Sequence, residues 1–372
     1  MNLGLTEEQR QITHSVEQLL ADASDSARMR WAAFEGGGFD ASLWAQLAEL
    51  GVCAMRIPAE HGGLGLGVTE LVLVAEQLGR RLACVPWLES TVIAGTAIAA
   101  IGEEGVAARW LPSLASGQQI FTLDTALLPG EPVNVRREGA DWRLDGVLPA
   151  VPAAMAAHWL LLPLHAHERL LLAVALDAAD VTRIPLTSHD ATRPVAKVEL
   201  RGVLIRGDQC LGRGAAVERG LEACRLLSAV VLASEQVGVA QQCLDLTVHY
   251  LGQRVQFGRP LASFQALKHR CATMMVAVEL ARSAVLGAAQ GFDEQPQEAR
   301  ALRLATMARS LADDAAQYCA QEAIQLHGGV GFTWEFDPHL YFKRAQAAHS
   351  WLATPGELRE RMAAMLLDDV LP

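Results

Sequence analysis

Apolar positions along the chain change their period twice, which divides it into three parts. From Leu5 to Leu20 they recur near helical spacing, and Thr6 followed by Gln9 has the capping-box pattern. Leu43 to Leu50 predicts a short helix ended by Gly51, and Val68 to Leu82 predicts another, stopped before Pro86. Between them Gly62 to Gly67 reads as a glycine-rich turn, and helical spacing continues through Trp87 to Ile101 and Glu103 to Leu111. From Ile120 to Cys210 the apolar runs shorten and are broken by Gly, Pro and Thr, as in Trp159 to Leu164, Leu170 to Leu176 and Val195 to Leu200. That spacing predicts about six or seven strands in a β-domain of roughly 90 residues, with Asp145-Gly146 as a turn. Helical spacing returns in three long stretches. Glu218 to Leu251 is read as amphipathic. Pro260 to Gly291 is interrupted near its start, and Pro296 to Leu326 is closed by Gly328-Gly329. Long alanine-rich helices of this kind pack as antiparallel bundles. The order is therefore helical, β, helical.

Composition narrows what such a chain does. It has 372 residues, 51% hydrophobic but only 5% aromatic, so the core is built mainly from Ala, Leu and Val. The net charge of -11 and the lack of any basic run argue against nucleic-acid binding. Seven widely spaced cysteines without a Cys-x-x-Cys pair indicate a reduced, cytoplasmic protein without structural zinc. The polar start around Glu7 and Glu8 does not resemble a signal peptide, and no stretch reads as a membrane span. No metal site is expected: His165-Ala166-His167 reads as a loop between strands.

Two motifs carry candidate chemistry. Arg254-Val255-Gln256-Phe257-Gly258-Arg259-Pro260, followed by Phe264-Gln265, places a Gly-x-Pro break before a helix whose free N–H groups suit a phosphate, with Arg254 beside it. The plainer alternative is an ordinary turn with solvated arginines. Gln325-Leu326-His327-Gly328-Gly329-Val330-Gly331-Phe332-Thr333 closes a helix with glycines that allow close approach of a ligand, or that simply cap it.

Together these motifs resemble the acyl-CoA dehydrogenase family. Leu47-Ala48-Glu49-Leu50-Gly51, Pro58-Ala59-Glu60-His61-Gly62-Gly63-Leu64-Gly65 and Glu76-Gln77-Leu78-Gly79-Arg80 are similar to it as well, in the family's order and over essentially the whole chain. The resemblance implies a multidomain α+β fold: an N-terminal helical domain (1–118), a central β-barrel-like domain (119–210) and a C-terminal four-helix bundle (211–372). It implies FAD, with Arg254, Gln256, Phe264, Gln265, Gln325, Leu326, His327, Gly328 and Gly329 as cofactor contacts across a subunit interface. It further implies an acyl-CoA substrate desaturated between its α and β carbons, electron-transfer flavoprotein as acceptor, and an oligomer, because each flavin site needs two chains.

The chain also departs from that family. The expected catalytic base falls on Leu352 or Ala353, and a second family position falls on Ser228; none of these can accept a proton. Thr354-Pro355-Gly356-Glu357 reads as a capping box, which gives Glu357 a structural occupation. Glu235 is the one carboxylate in the apolar stretch Leu226 to Val239 and is a candidate base. The segments that hold the flavin ring in the family correspond to Leu123 to Gly130 and Val147 to Pro152, where neither pattern survives. These features resemble the base-lacking chain of bacterial α2β2 assemblies, paired with a base-bearing paralogous chain. The alternatives are a self-sufficient homo-oligomer using Glu235 and a catalytically silent scaffolding subunit.

Overall fold

The computed structural model describes residues 4–102, 104–123, 133–295 and 297–368. The helices and strands, in chain order, are α1 (Glu7–Ala23), α2 (Ser26–Phe34), α3 (Ala41–Glu49), α4 (Val68–Arg80), α5 (Gly95–Ile101), α6 (Glu104–Ala115), β1 (Phe121–Leu123), β2 (Val133–Glu138), β3 (Asp141–Pro152), β4 (Trp159–His165), β5 (Arg169–Ala175), β6 (Val181–Pro185), β7 (Val195–Ile205), β8 (Cys210–Arg213), α7 (Ala215–Gln253), β9 (Val255–Gln256), β10 (Arg259–Pro260), α8 (Gln265–Asp293), α9 (Glu298–His327), α10 (Pro338–His349) and α11 (Pro355–Asp368). The chain forms two compact units. One comprises residues 1–30, 67–83 and 229–372; the other comprises 31–66 and 84–228.

The 31–66 and 84–228 unit carries the β structure as two four-stranded sheets, ordered β1-β4-β5-β8 and β2-β3-β7-β6. Strand β1 runs parallel to β4; the other pairings are antiparallel. Residues Leu160–Leu162 and Leu170–Val174 are buried on both faces, which explains why their sequence reads as continuous apolar runs rather than alternation. Asp145-Gly146 is not a turn. It lies inside β3, where the register against β7 shifts at a bulge and Asp145 Oδ1 accepts the Gly202 amide at 2.7 Å. The reversal is made instead by Gly139-Ala140, between the paired Glu138 and Asp141, with Gly139 at φ 66°. Trp87 to Ile101 is helical as expected, but Leu88–Ala94 is π-helical and fully buried, with Glu89 paired to Arg193 and Ser90 Oγ accepting the Phe121 amide at 3.0 Å.

In the other unit α1 begins with the expected capping box, Thr6 and Gln9 each bonding the other's amide. Helix α4 is capped from far along the chain. Asp293 accepts the amides of Val68 and Thr69 and the Thr69 hydroxyl. Where α4 meets α7, a Cβ on Gly79 would lie 2.1 Å from Glu235 O and one on Gly238 2.0 Å from Glu76 O, so only glycine permits this approach.

Helix α7 departs from an amphipathic reading, because every residue from Leu226 to Ala240 is buried and no polar face is left. Both α7 and α8 are long and apolar enough to cross a membrane by length and composition alone, a test that the core helices of a folded domain also pass. They differ in burial: 89% of the apolar window of α7 is covered by the chain itself, against 39% in α8.

Candidate functional site

The two motifs come together at the end of α7. The chain leaves this helix at Arg254, whose amide donates to Tyr250 O at 2.9 Å, and turns through a hairpin in which β10 pairs with β9. The two loop residues, Phe257 at φ 53° and Gly258 at φ 76°, are both left-handed, the signature of a type I′ turn. The sequence showed a break here but not a hairpin. Leu261 N then donates to Arg254 O at 2.8 Å, which brings the start of α8 back beside Arg254.

Helix α8 opens at Gln265 with Phe264 as its extended N-cap, and no side chain caps its first amides. Those amides and the exposed Arg254 give the positive end suited to a phosphate. The guanidinium of Arg259 lies 4.0 Å from the Phe264 ring centre, and Phe257 meets the same ring edge-on at 6.0 Å. Gln256 is exposed and bonds Val255 O.

The second motif closes α9. Gln325 is exposed; Leu326 and His327 are buried. His327 Nδ1 lies 2.6 Å from Ala323 O, and burial pulls its pKa below the ordinary value, so the ring is neutral with the Nδ1 proton donated to that carbonyl. Gly328 takes φ 68°, ψ -147°, and a Cβ built on Gly328 or Gly329 meets nothing within 4 Å of the chain. The backbone there is open to a ligand.

Tyr250 links the two motifs. Its ring stacks on His327 at 4.4 Å and 21°, and Phe336 meets both rings edge-on. Sequence reasoning missed Tyr250, Phe336 and Arg259. The signal for Tyr250 was available, since it stands one helical turn before Arg254.

The candidate base positions have other occupations. Ser228 is fully buried on α7 beside Cys224. Leu352 sits at φ 56° and Ala353 is fully buried. The expected capping box that follows is present: Thr354 N donates to Glu357 Oε2 at 3.0 Å, and Glu357 N to Thr354 Oγ1 at 3.2 Å. Glu235 is not a solitary carboxylate: Arg344 Nη1 donates to its Oε1 at 2.8 Å, with both side chains buried. Of the two flavin-ring segments, 124–130 lies outside the described residues, and Val147 to Pro152 forms the end of β3. Among the described residues no cluster of His, Cys, Asp or Glu is arranged to hold a metal ion.

Two family descriptions match the chain: acyl-CoA dehydrogenase, N-terminal domain, over residues 6–118, and acyl-CoA dehydrogenase, C-terminal domain, over residues 214–366. The chain is similar to the acyl-CoA dehydrogenase IpdE2 of Mycobacterium tuberculosis, 34% identical over 357 residues, which is 96% of each chain. Among solved structures it is similar to a chain of the ChsE4–ChsE5 complex of Mycobacterium tuberculosis, with 28% identity, a TM-score of 0.89 and 100% of both chains covered. It is also similar to a chain of the Tcur3481–Tcur3483 steroid ACAD, with 26% identity, a TM-score of 0.85, and 98% and 99% of the two chains covered.

Proposed function

The chain belongs to the acyl-CoA dehydrogenase family of oxidoreductases acting on CH–CH groups, and on that premise we propose that it is the base-lacking subunit of an FAD-linked α2β2 dehydrogenase. The observation that carries this reading is a contrast between binding elements that are present and base positions that hold no base. The dinucleotide-facing elements are assembled: Arg254, the uncapped start of α8 and the open Gly328-Gly329 backbone are drawn together around Tyr250. The positions for a base hold Ser228, Leu352 and Ala353, and Glu235 is neutralised by Arg344.

The residues present fit FAD. Its pyrophosphate would be met by Arg254, Gln265 and the first amides of α8, and its adenosine end by Gln325 to Gly329, where no side chain blocks the backbone. Gln256 and Phe264 would complete the contact. Bound FAD supplies the acceptor for hydride from the substrate β carbon. This chain's residues bind and orient; removal of the α proton is assigned to a carboxylate of the partner chain. Two of the solved neighbours support pairing of unlike chains, since each carries two protein names, one as the ChsE4–ChsE5 complex and the other as the Tcur3481–Tcur3483 steroid ACAD. The proposed substrate is therefore a CoA thioester with a bulky polycyclic acyl group, with electron-transfer flavoprotein as acceptor and the cytoplasm as location. The division into 1–118, 119–210 and 211–372 belongs to the same reading, supported by family matches that end at residue 118 and resume at 214.

The test is purification of the chain alone and with a base-bearing paralogue. Flavin absorbance bleached by acyl-CoA only in the mixture is the expected result. Stoichiometric FAD and turnover by the chain alone would restore the self-sufficient reading. No flavin in either sample, and no activity on mixing, would favour a scaffolding subunit.

A further inference from the structure

The way His327 is held leaves one of its atoms unused. Its Nδ1 proton is donated to Ala323 O at 2.6 Å, one turn back along α9. That bond fixes the tautomer, so Nε2 of the neutral ring carries a lone pair and no proton. The ring plane is fixed as well: Tyr250 stacks on it at 4.4 Å, and Phe336 meets it edge-on at 6.0 Å. His327 is 5% exposed. Among the described residues nothing donates to its Nε2. The side-chain atoms sealed inside the chain without a partner include His339 Nε2 but not His327 Nε2, so this lone pair is reached from outside. It stands beside Gly328 and Gly329, where an added Cβ would meet nothing within 4 Å. The result is a rigid, nearly covered acceptor set next to open backbone.

We propose that His327 Nε2 accepts a hydrogen bond from the exocyclic amino group of the cofactor's adenine, and so selects a 6-aminopurine dinucleotide over a 6-oxopurine one. This rests on the flavin reading, in which Gln325 to Gly329 meet the adenosine end as a group; here the choice of base falls to one atom. The adenosine end offers two kinds of donor, the ribose hydroxyls and the amino group. A hydroxyl turns to donate or accept as its neighbour requires, so it gains little from an acceptor whose tautomer is locked. The amino group is matched by a group that only accepts. In hypoxanthine the same position carries a carbonyl oxygen, which sets one acceptor against another and leaves both unpaired. The lock is what makes a histidine selective here. A glutamine amide could flip its donor and acceptor ends and take either base.

Two measurements on the full-length chain, with its partner where flavin binding needs it, test this. The first is the nitrogen-15 shift of the His327 ring before cofactor is added. Nε2 is expected to be unprotonated, and a proton on Nε2 would overturn the proposal. The second compares fluorescence titrations with FAD, flavin hypoxanthine dinucleotide and the 2′-deoxyadenosine analogue of FAD. The hypoxanthine cofactor is expected to bind roughly ten- to a hundredfold more weakly than FAD, the cost of an unpaired buried acceptor. The deoxy analogue should bind as FAD does. In His327→Phe, which keeps a ring against Tyr250, FAD and the hypoxanthine cofactor should bind alike. The preference is a ratio measured on the unaltered chain, so the test stands even where that variant folds poorly. Equal binding of FAD and the hypoxanthine cofactor, a loss with the deoxy analogue instead, or an undiminished preference in folded His327→Phe would overturn the proposal. Equal binding removes this role for His327 and leaves the flavin site in place, whereas a chain that takes up no flavin in either sample removes both.

Discussion

Arg344 Nη1 lies 2.8 Å from Glu235 Oε1, and the two side chains are 3% and 8% exposed. The pair joins α10 to α7 inside one unit. Removing one member of such a pair leaves the other charged and buried, which costs about 3–5 kcal/mol. Arg344→Met is therefore expected to lower the melting temperature steeply. Glu235→Gln keeps an acceptor for Arg344 and should cost less. With a base-bearing partner present, Glu235→Gln should still allow flavin reduction by acyl-CoA. Loss of reduction in a variant that folds would instead make Glu235 the base.

Asp293 caps α4 from 225 residues along the chain. Asp293→Ala strands the amides of Val68 and Thr69, and a lost cap of this kind costs roughly 0.5–2 kcal/mol. Gly67→Ala should act at the same place, because its Cβ would lie 2.5 Å from Asp293 Oδ1. Denaturant unfolding of the two single variants and the double variant tests this. The two costs should fall short of additivity, since both break one interaction.

Arg254→Ala is expected to weaken FAD binding about ten- to a hundredfold, the equivalent of a charge-assisted bond of about 1.5–3 kcal/mol. Tyr250→Ala, which touches no proposed cofactor atom, should weaken binding by loosening the junction between the two motifs. Titration of the apo chain, with its partner where needed, followed by flavin fluorescence, measures both. Unchanged affinity in Arg254→Ala would remove the anion site from the proposal.

The stability of the chain should fall on mild acidification. Burial pulls His327 and His339 below the ordinary histidine pKa of 6.5. The unfolded chain therefore binds protons that the folded chain refuses, and stability declines as pH drops through about 6.5, with no contribution from these groups above that value. Melting temperatures between pH 7.5 and 5.5 should show the decline, and His327→Phe, which keeps an aromatic ring against Tyr250, should make it shallower.

What was readable in advance was local. The boxes at Thr6/Gln9 and Thr354/Glu357 are written within four consecutive positions, and both form. Asp145-Gly146 misled because the register of β3 against β7, set by distant residues, overrode a local turn preference. The π-helical winding of Leu88–Ala94 and the capping of α4 by Asp293 depend on partners that no spacing rule links. At the site, Arg254 and Gly328-Gly329 were legible as motifs. Their meeting through Tyr250 and His327 was not, because it requires the folded positions of α7 and α9.

Gly79 and Gly238 bear on how the molecule moves. Where α4 and α7 touch backbone to backbone, no layer of side chains is left to slip or re-rotamerise. The two helices must move as one body, so ligand-driven adjustment in this unit falls to segments held less closely, such as the exposed 255–260 hairpin.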